Sequence, residues 1–178
     1  LTIAYEYTSK DGVVHNEKND RPDPSAQLYL GAVPLKYEFD PDCTGEDSQI
    51  DWIIYRYADV LTLTAEAIVR KNAVTQEAVN LLNEVRTRSL PGKGYSLQDL
   101  NSVDKFLKAV LDERGWELYF EGNRRQDLIR YGLFVEAIKK KAQSMGKQTL
   151  VDEDRYRFPI PQDIIDEGKG IIKQNPGY

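Results

Sequence analysis

The sequence predicts a mostly α-helical fold of tetratricopeptide-like antiparallel helical hairpins, with an irregular N-terminal segment and an extended C-terminal tail. From residue 52 onward, apolar side chains recur with the period of about 3.6 residues that is typical of an amphipathic helix. Before that point, turn-forming dipeptides such as Asp11-Gly12 are frequent and the strand signals are weak. We therefore predict a loop-rich segment with weak strands over residues 1–51 and a helical domain over residues 52–178.

Size and charge are those of one ordinary domain and exclude several classes of protein. The chain has 178 residues, of which 40% are hydrophobic, so it can bury a core. It carries 24 basic and 29 acidic side chains without a basic stripe, which argues against a nucleic-acid partner. A single cysteine, Cys43, excludes an internal disulfide and a multi-cysteine metal site.

No apolar run is long enough to span a bilayer, and no signal peptide opens the chain. Residue 1 is leucine, and the residues after it read like a strand already in progress. We therefore expect a fragment or a processed chain whose targeting sequence lies upstream.

The first hairpin is predicted from two helices, over residues 52–71 and 75–90. The first helix has one apolar stripe, formed by Tyr55, Ala58, Leu61, Ala65, Ile68 and Val69. The second helix begins at Thr75, a suitable N-cap, and ends before the Pro-Gly-Lys-Gly turn at 91–94. Its inner face is formed by Ala78, Leu82 and Val85.

The second hairpin is predicted to begin at Ser102, an N-cap residue for the third helix. The inner face of that helix is formed by Val103, Phe106, Leu107, Val110 and Leu111. A fourth helical stretch covers residues 124–144 and is broken near Tyr131-Gly132. The tail, residues 157–161 and 174–178, is rich in proline and is predicted to be extended.

Residues 113–132 carry more charge than a buried helix usually tolerates. Glu113, Glu117 and Glu121 repeat every four residues and so share one helical face, and Arg114 falls on the apolar stripe. Buried charges are costly unless they are paired, and arginine binds a carboxylate through two hydrogen bonds. We predict a structural ionic network that joins the hairpins, formed by Glu113, Arg114, Glu117, Glu121, Arg124, Asp127 and Arg130, with Arg86 and Arg88 as further partners.

The alternative is a glycoside hydrolase that uses Glu113 and Glu117. Such enzymes need two carboxyl groups about 5–10 Å apart, and side chains four residues apart on a helix are separated by about 6 Å. Catalytic carboxylates must remain free to titrate, whereas arginines lie close to these two in the sequence. We therefore predict that the protein is not an enzyme.

Several motif-like blocks follow one another along this chain. They are residues 55–61 (Tyr-Arg-Tyr-Ala-Asp-Val-Leu), 65–67, 82–86, 113–124 with 127–132, 158–161 and 174–178. In this order and at this spacing, they resemble the conserved blocks of the SusD/RagB family. The resemblance implies a carbohydrate-binding, or in some relatives peptide-binding, lipoprotein of the Bacteroidetes outer membrane. It would act in polysaccharide utilisation at the cell surface, as a lid on a TonB-dependent transporter of the SusC type.

The resemblance also implies a tetratricopeptide-like scaffold to which the matching blocks mainly belong. Family members are far longer, so we expect the N-terminal lipid anchor to be absent from this chain. That anchor would be the protein's only contact with the membrane. A second hypothesis is a helical-repeat docking module for another protein, without ligand affinity.

Four aromatic residues are candidate ligand contacts, because sugars stack on exposed aromatic faces. They are Tyr5, Tyr7, Tyr29 and Trp52. The alternative is that these rings fill a core or cap a hairpin.

We predict no cofactor, with one acidic loop as a candidate calcium site. Counting from Asp40, oxygen-bearing side chains follow at the EF-hand positions of Asp42, Thr44 and Asp51, and Gly45 takes the glycine position. Against calcium, the entering helix is precluded by a proline after Asp40. The alternative is a solvated acidic turn.

Overall fold

Six α-helices are the main elements of the chain that the computed structural model describes, namely residues 4–8, 12–18, 36–37, 40 and 49–178. The prediction of a mostly helical, tetratricopeptide-like fold is confirmed. The chain separates into two compact units, Leu1–Tyr55 and Arg56–Tyr178. The predicted assignment of domains to residues 1–51 and 52–178 stays a prediction.

The N-terminal unit contains a β-hairpin. Strand β1 (Ala4–Thr8) pairs antiparallel with β2 (Val14–Lys18), so that Ala4 lies opposite Lys18. Gly12, in the connection, has a φ of 80°, a conformation that glycine adopts without steric cost. The turn signal in the sequence therefore marks a real change of chain direction.

Helices α1 (Tyr57–Lys71) and α2 (Gln76–Ser89) form the first hairpin, joined by residues 72–75. The Thr75 hydroxyl accepts a hydrogen bond from the Ala78 amide at 3.2 Å, which is the predicted N-cap.

Helix α1 begins at Tyr57, and the prediction of a start at Trp52 is wrong. Arg56 has an extended backbone, with φ −146° and ψ 167°, and its guanidinium binds Glu117 and Glu121. These long-range ion pairs hold the residue in place outside the helix. Tyr55 is 80% exposed and so does not belong to the predicted inner stripe.

Helix α3 (Val103–Glu117) begins as predicted after Ser102, whose hydroxyl accepts from the Lys105 amide at 3.3 Å. It contacts both α1 and α2. Val103, predicted to face inward, is 38% exposed, because it is the first residue of the helix. The core of the three helices is formed by Ala65, Val69, Ala78, Val79, Leu82, Leu100, Phe106, Ala109 and Val110.

The fourth helical stretch is divided, as predicted, into α4 (Arg124–Arg130) and α5 (Phe134–Ser144). Gly132, between them, has a φ of 68°. The Leu133 amide donates to the Leu128 carbonyl at 2.8 Å, which satisfies an acceptor at the end of α4.

The C-terminal tail contains a short 3-10 helix (Glu153–Tyr156) and α6 (Gln162–Glu167), which the sequence reading did not predict. The side-chain amide of Gln174 joins the two extended pieces of the tail. It accepts from the Ile160 amide at 2.8 Å and donates to the Ile160 carbonyl at 2.9 Å. The Asn175 side chain donates to the Phe158 carbonyl at 2.8 Å.

Candidate functional site

Arg114 lies at the centre of a buried group of charges and is 4% exposed. Its Nε donates to Asp127 Oδ2 at 2.8 Å, and its Nη1 donates to Asp59 and to the Thr62 hydroxyl. Asp59 and Thr62 belong to α1, whereas Asp127 belongs to α4. A single side chain of α3 therefore connects three helices.

Glu66 of α1 continues this group of charges. Arg130 binds both of its carboxylate oxygens, at 2.6 and 2.9 Å, and Arg70 adds a bond of 2.7 Å. Burial alone would raise the pKa of Glu66, but the hydrogen bonds from Arg130 and Arg70 outweigh it and hold the pKa below its usual range. Burial, together with the nearby Glu66 carboxylate, raises the pKa of Tyr131 to about 12.

The three glutamates of the four-residue repeat bind arginines from other elements. Arg56 binds Glu117 and Glu121, and the Nη2 of Arg88 lies 2.7 Å from the Oε2 of Glu117. The Nη1 of Arg86 donates to Glu113 Oε2 at 2.9 Å. The pKa of Glu113 is raised, because its burial outweighs the hydrogen bond from Arg86.

The structure brings six of the seven predicted network residues into ion pairs and separates Arg124 from them. The Nη1 of Arg124 donates to the Leu111 carbonyl at 2.8 Å, and this arginine pairs with no carboxylate within the described ranges. That the role of this network is purely structural stays a prediction.

The α1 side of the network, formed by Arg56, Asp59 and Glu66, was not predicted from the sequence. A signal was present, since Asp59, Thr62 and Glu66 recur at intervals of three and four residues, as do the residues of a buried face.

An open cleft lies where α3 ends and the chain turns into α4. Its volume is 470 Å³, within the range of small-molecule sites. Three aromatic side chains on its wall are well exposed: Trp116 by 62%, Phe120 by 53% and Tyr119 by 44%. The rings of Tyr119 and Phe120 lie 6.1 Å apart. Exposed aromatic rings in a cleft are characteristic of a binding site.

The turn that carries these aromatics has a strained backbone. Phe120 has a φ of 66°, in the left-handed region, where a bulky residue is a genuine outlier. The next residue, Glu121, is buried and bound by Arg56, and its amide donates to the Leu118 carbonyl at 3.1 Å. Such strain persists only where the surroundings enforce it, and it is often found at binding sites.

Two arginines form the polar side of the cleft. Arg124 lies across Gly115, where an added Cβ would meet the Arg124 Nη1 at 2.8 Å. Arg125 donates to the Arg155 carbonyl at 2.8 Å, and its guanidinium lies 4.3 Å from the centre of the Phe158 ring. Both side chains are therefore held at defined positions.

The cleft aromatics were not among the predicted ligand contacts, which all belong to the N-terminal unit. Tyr5 and Tyr7 lie in β1, opposite Glu17 and His15. Trp52 is 60% exposed, and its ring stacks on that of Tyr37 at 4.8 Å. Tyr29 lies outside the described residues. The role of these four residues in ligand binding stays a prediction.

The candidate calcium loop lies largely outside the described residues, which exclude Asp42 and Thr44. A carboxylate oxygen of Asp40 accepts from the Gln49 amide at 2.6 Å, and Asp51 is exposed. Within the described ranges, no group of three or more His, Cys, Asp or Glu is placed to hold a metal. Calcium binding stays a prediction.

Comparison with known proteins shows the family. The sequence matches the SusD family over residues 3–178, and the chain belongs to that family. SusD-like protein P2 of Formosa agariphila is 32% identical over 140 residues, which are 75% of this chain and 27% of the relative.

Two solved structures from Bacteroides thetaiotaomicron are similar to the chain. One is a SusD homolog, 34% identical with a TM-score of 0.63, covering 80% of this chain and 30% of that one. The other is surface glycan-binding protein A in complex with laminarihexaose, 31% identical with a TM-score of 0.58, covering 70% and 24%. This chain thus spans less than a third of the length of these relatives.

Membership of the SusD family confirms the resemblance drawn from the sequence blocks. SusD-like proteins are non-catalytic and bind carbohydrate, which agrees with the prediction that the chain is not an enzyme. Proteins of this family are associated with the outer membrane at the cell surface of Bacteroidetes. Among the described residues, no helix is both long enough and apolar enough to span a bilayer.

Proposed function

We propose that the chain belongs to a cell-surface glycan-binding protein and that its cleft contacts the glycan. The observation that carries this proposal is the exposed cluster of Trp116, Tyr119 and Phe120 in a chain of the SusD family. Aromatic rings offer flat apolar faces to the C–H faces of sugars while their polar atoms stay in water. The laminarihexaose complex of a relative supports an oligosaccharide as the ligand.

The partner in this proposal is a TonB-dependent transporter of the SusC type. The protein would hold the oligosaccharide at the mouth of the transporter, anchored to the outer membrane by an N-terminal lipid. Family membership supports this arrangement.

Binding is favoured over hydrolysis because the acids of the four-residue repeat are occupied. Glu113 and Glu117 are 5% and 8% exposed, and both are bound by arginines. A glycosidase needs an acid and a base or nucleophile that reach the sugar.

The proposal is tested by a glycan array followed by calorimetric titration. The titration compares the glycan affinities of two variants, each lacking one tryptophan. We expect Trp116→Ala to weaken glycan binding at least tenfold, because the sugar loses an aromatic ring on which to stack. Trp52→Ala should leave glycan binding unchanged. The reverse result would move the site to the stacked pair of Tyr37 and Trp52 in the N-terminal unit. Binding to the transporter without affinity for any glycan would favour the docking module.

A further inference from the structure

We propose that the cleft selects acidic saccharides, and that Arg124 and Arg125 bind the carboxylate or sulfate groups of the sugar. This inference rests on the proposed glycan-binding function and adds the chemical class of the ligand. Arginine presents a planar fork of donors that fits a carboxylate or a sulfate, and it always carries its charge.

Most other arginines of the helical unit have their charge balanced by a carboxylate. Arg56, Arg70, Arg86, Arg88, Arg114 and Arg130 each form an ion pair with an aspartate or a glutamate. Arg124 and Arg125 form none within the part of the chain that the structure describes. Both of these guanidiniums without a carboxylate partner lie on the wall of the cleft.

The polar side chains of the cleft are mainly donors. Its one carboxylate, Asp112, pairs with Lys108. Arg114, at the cleft floor, is already bound to Asp59 and Asp127. A neutral sugar presents about as many donors as acceptors and needs both from its site. A ligand rich in acceptors fits this cleft better.

The two arginines are arranged before a ligand arrives. Arg124 has one hydrogen bond to the protein, from Nη1 to the Leu111 carbonyl, and its side chain is exposed. Arg125 is held by the Arg155 and Tyr156 carbonyls through Nη2. Its Nε and Nη1 donate to no acceptor among the described residues. Carbonyl partners leave the positive charge in place, so both guanidiniums attract an anion.

The experiment measures binding of matched glycan pairs by calorimetric titration. One pair is an oligouronate and its carboxyl-reduced, neutral form; the other is a sulfated oligosaccharide and its desulfated form. We expect the acidic member of one pair to bind at least tenfold more tightly, with an affinity that falls as salt rises. The pair that shows the difference identifies carboxylate or sulfate as the anion.

Arg124→Gln is the decisive variant, because Arg125 also holds the tail and its removal can disturb folding. A charge-assisted hydrogen bond contributes about 1.5–3 kcal/mol, so we expect binding of the acidic glycan to weaken about 10- to 100-fold. Binding of the neutral form of the same glycan should weaken less than binding of the acidic form. Lys139→Gln, which changes the net charge equally on α5, is the control and should leave the affinity unchanged.

The outcomes separate this inference from the proposed function. Equal affinity for acidic and neutral glycans, unchanged in Arg124→Gln, would overturn the inference and leave glycan binding intact. Equal weakening by Arg124→Gln and Lys139→Gln would also overturn it, because net charge alone would then explain the preference. Absence of binding to every glycan of a broad array would overturn the proposed function, and the inference with it.

Discussion

Arg114 shows how one residue can determine the stability of the helical unit. It occupies a position on α3 where the apolar stripe predicts a residue such as leucine, and it is bound on both sides by buried aspartates. A buried ion pair contributes little net stability compared with a well-packed apolar pair. Breaking one is costly, because the remaining charge is buried without its partner.

We therefore expect Arg114→Ala to lower the free energy of unfolding by about 3–5 kcal/mol, measured by urea denaturation. Glu117→Ala should behave in the same way. The control is Lys108→Ala, which removes an exposed pair with Asp112 and should cost less than about 1 kcal/mol. Wild-type stability of Arg114→Ala, combined with loss of glycan binding, would assign the network a direct role in binding.

The lowered pKa of Glu66 predicts a dependence of stability on pH. A carboxyl group whose pKa is lower in the folded than in the unfolded state stabilises the fold above the unfolded pKa of about 4.3. This contribution is lost as the pH falls through the folded pKa. The stability difference between wild type and Glu66→Gln should therefore be largest at neutral pH and shrink in acid, as measured by urea denaturation across a pH series.

Glu113 should show the opposite dependence of stability on pH, because its pKa is raised in the folded state. On acidification, wild type should gain stability relative to Glu113→Gln, since the neutral form of Glu113 is the favoured one. Parallel pH profiles for the two variants would contradict at least one of the two pKa directions.

The left-handed backbone of Phe120 predicts an unusual order of stabilities. A non-glycine residue in this region costs about 1–2 kcal/mol, and glycine does not pay that cost. Phe120→Gly should therefore be more stable than Phe120→Ala by about 1 kcal/mol, measured by thermal unfolding. At Tyr119, the matched pair of variants should show the reverse order, because glycine gains more freedom in the unfolded state. An alanine variant at Phe120 as stable as the glycine variant would contradict the strain.

At the scale of the elements, local signals predicted helices well, and long-range contacts explain the errors. The start of α2 follows from a capping threonine, and the break between α4 and α5 follows from Gly132. The predicted start of α1 was wrong, because Arg56 is extended and forms ion pairs with residues more than 60 positions away. Such distant partners are not visible in the local sequence. Helix α6 was missed, because a helix of 6 residues is too short to show a periodic pattern.

In the C-terminal tail, a side-chain amide forms the hydrogen bonds that a neighbouring strand would otherwise provide. Gln174 satisfies both backbone groups of Ile160, and its removal leaves them without their partner. We expect Gln174→Ala to accelerate hydrogen exchange at the Ile160 amide by about fivefold, from loss of a hydrogen bond that contributes about 1 kcal/mol. Gln162→Ala, which removes an exposed contact to Asp166, is the control and should leave that rate unchanged. Unchanged exchange in Gln174→Ala would show that other contacts hold the tail.

At the scale of the whole molecule, the sequence predicted the family and the buried acids better than the cleft. The four-residue repeat of glutamates was visible, but its partners on α1 depend on how α1 lies against α3. The exposure of Phe120 depends on the turn at the end of α3, which has no periodic signal. Contacts between distant segments are a property of the fold and are not visible in local sequence patterns.

The helical unit contains the apolar core and the ion pairs described above, and Arg56 is its first residue. We therefore expect a fragment of residues 56–178 to fold alone and to unfold in one cooperative thermal transition, monitored by circular dichroism. The same fragment with Arg56→Ala is the comparison. It should melt at a lower temperature, because Glu117 and Glu121 lose a partner. A fragment without a cooperative transition would show that residues 1–55 are needed for folding.

The ion pairs of α3 have a geometric consequence for the cleft. An apolar seam between helices tolerates sliding, since one leucine can replace another at the next turn, about 5.4 Å along the axis. Arg114 meets its aspartates at one setting only, so the charges fix the axial register of α3 against α1. Trp116 lies on the same rigid helix, so this register also sets the position of its ring. The position of this part of the cleft wall is thus determined by electrostatic contacts on the buried side of a single helix.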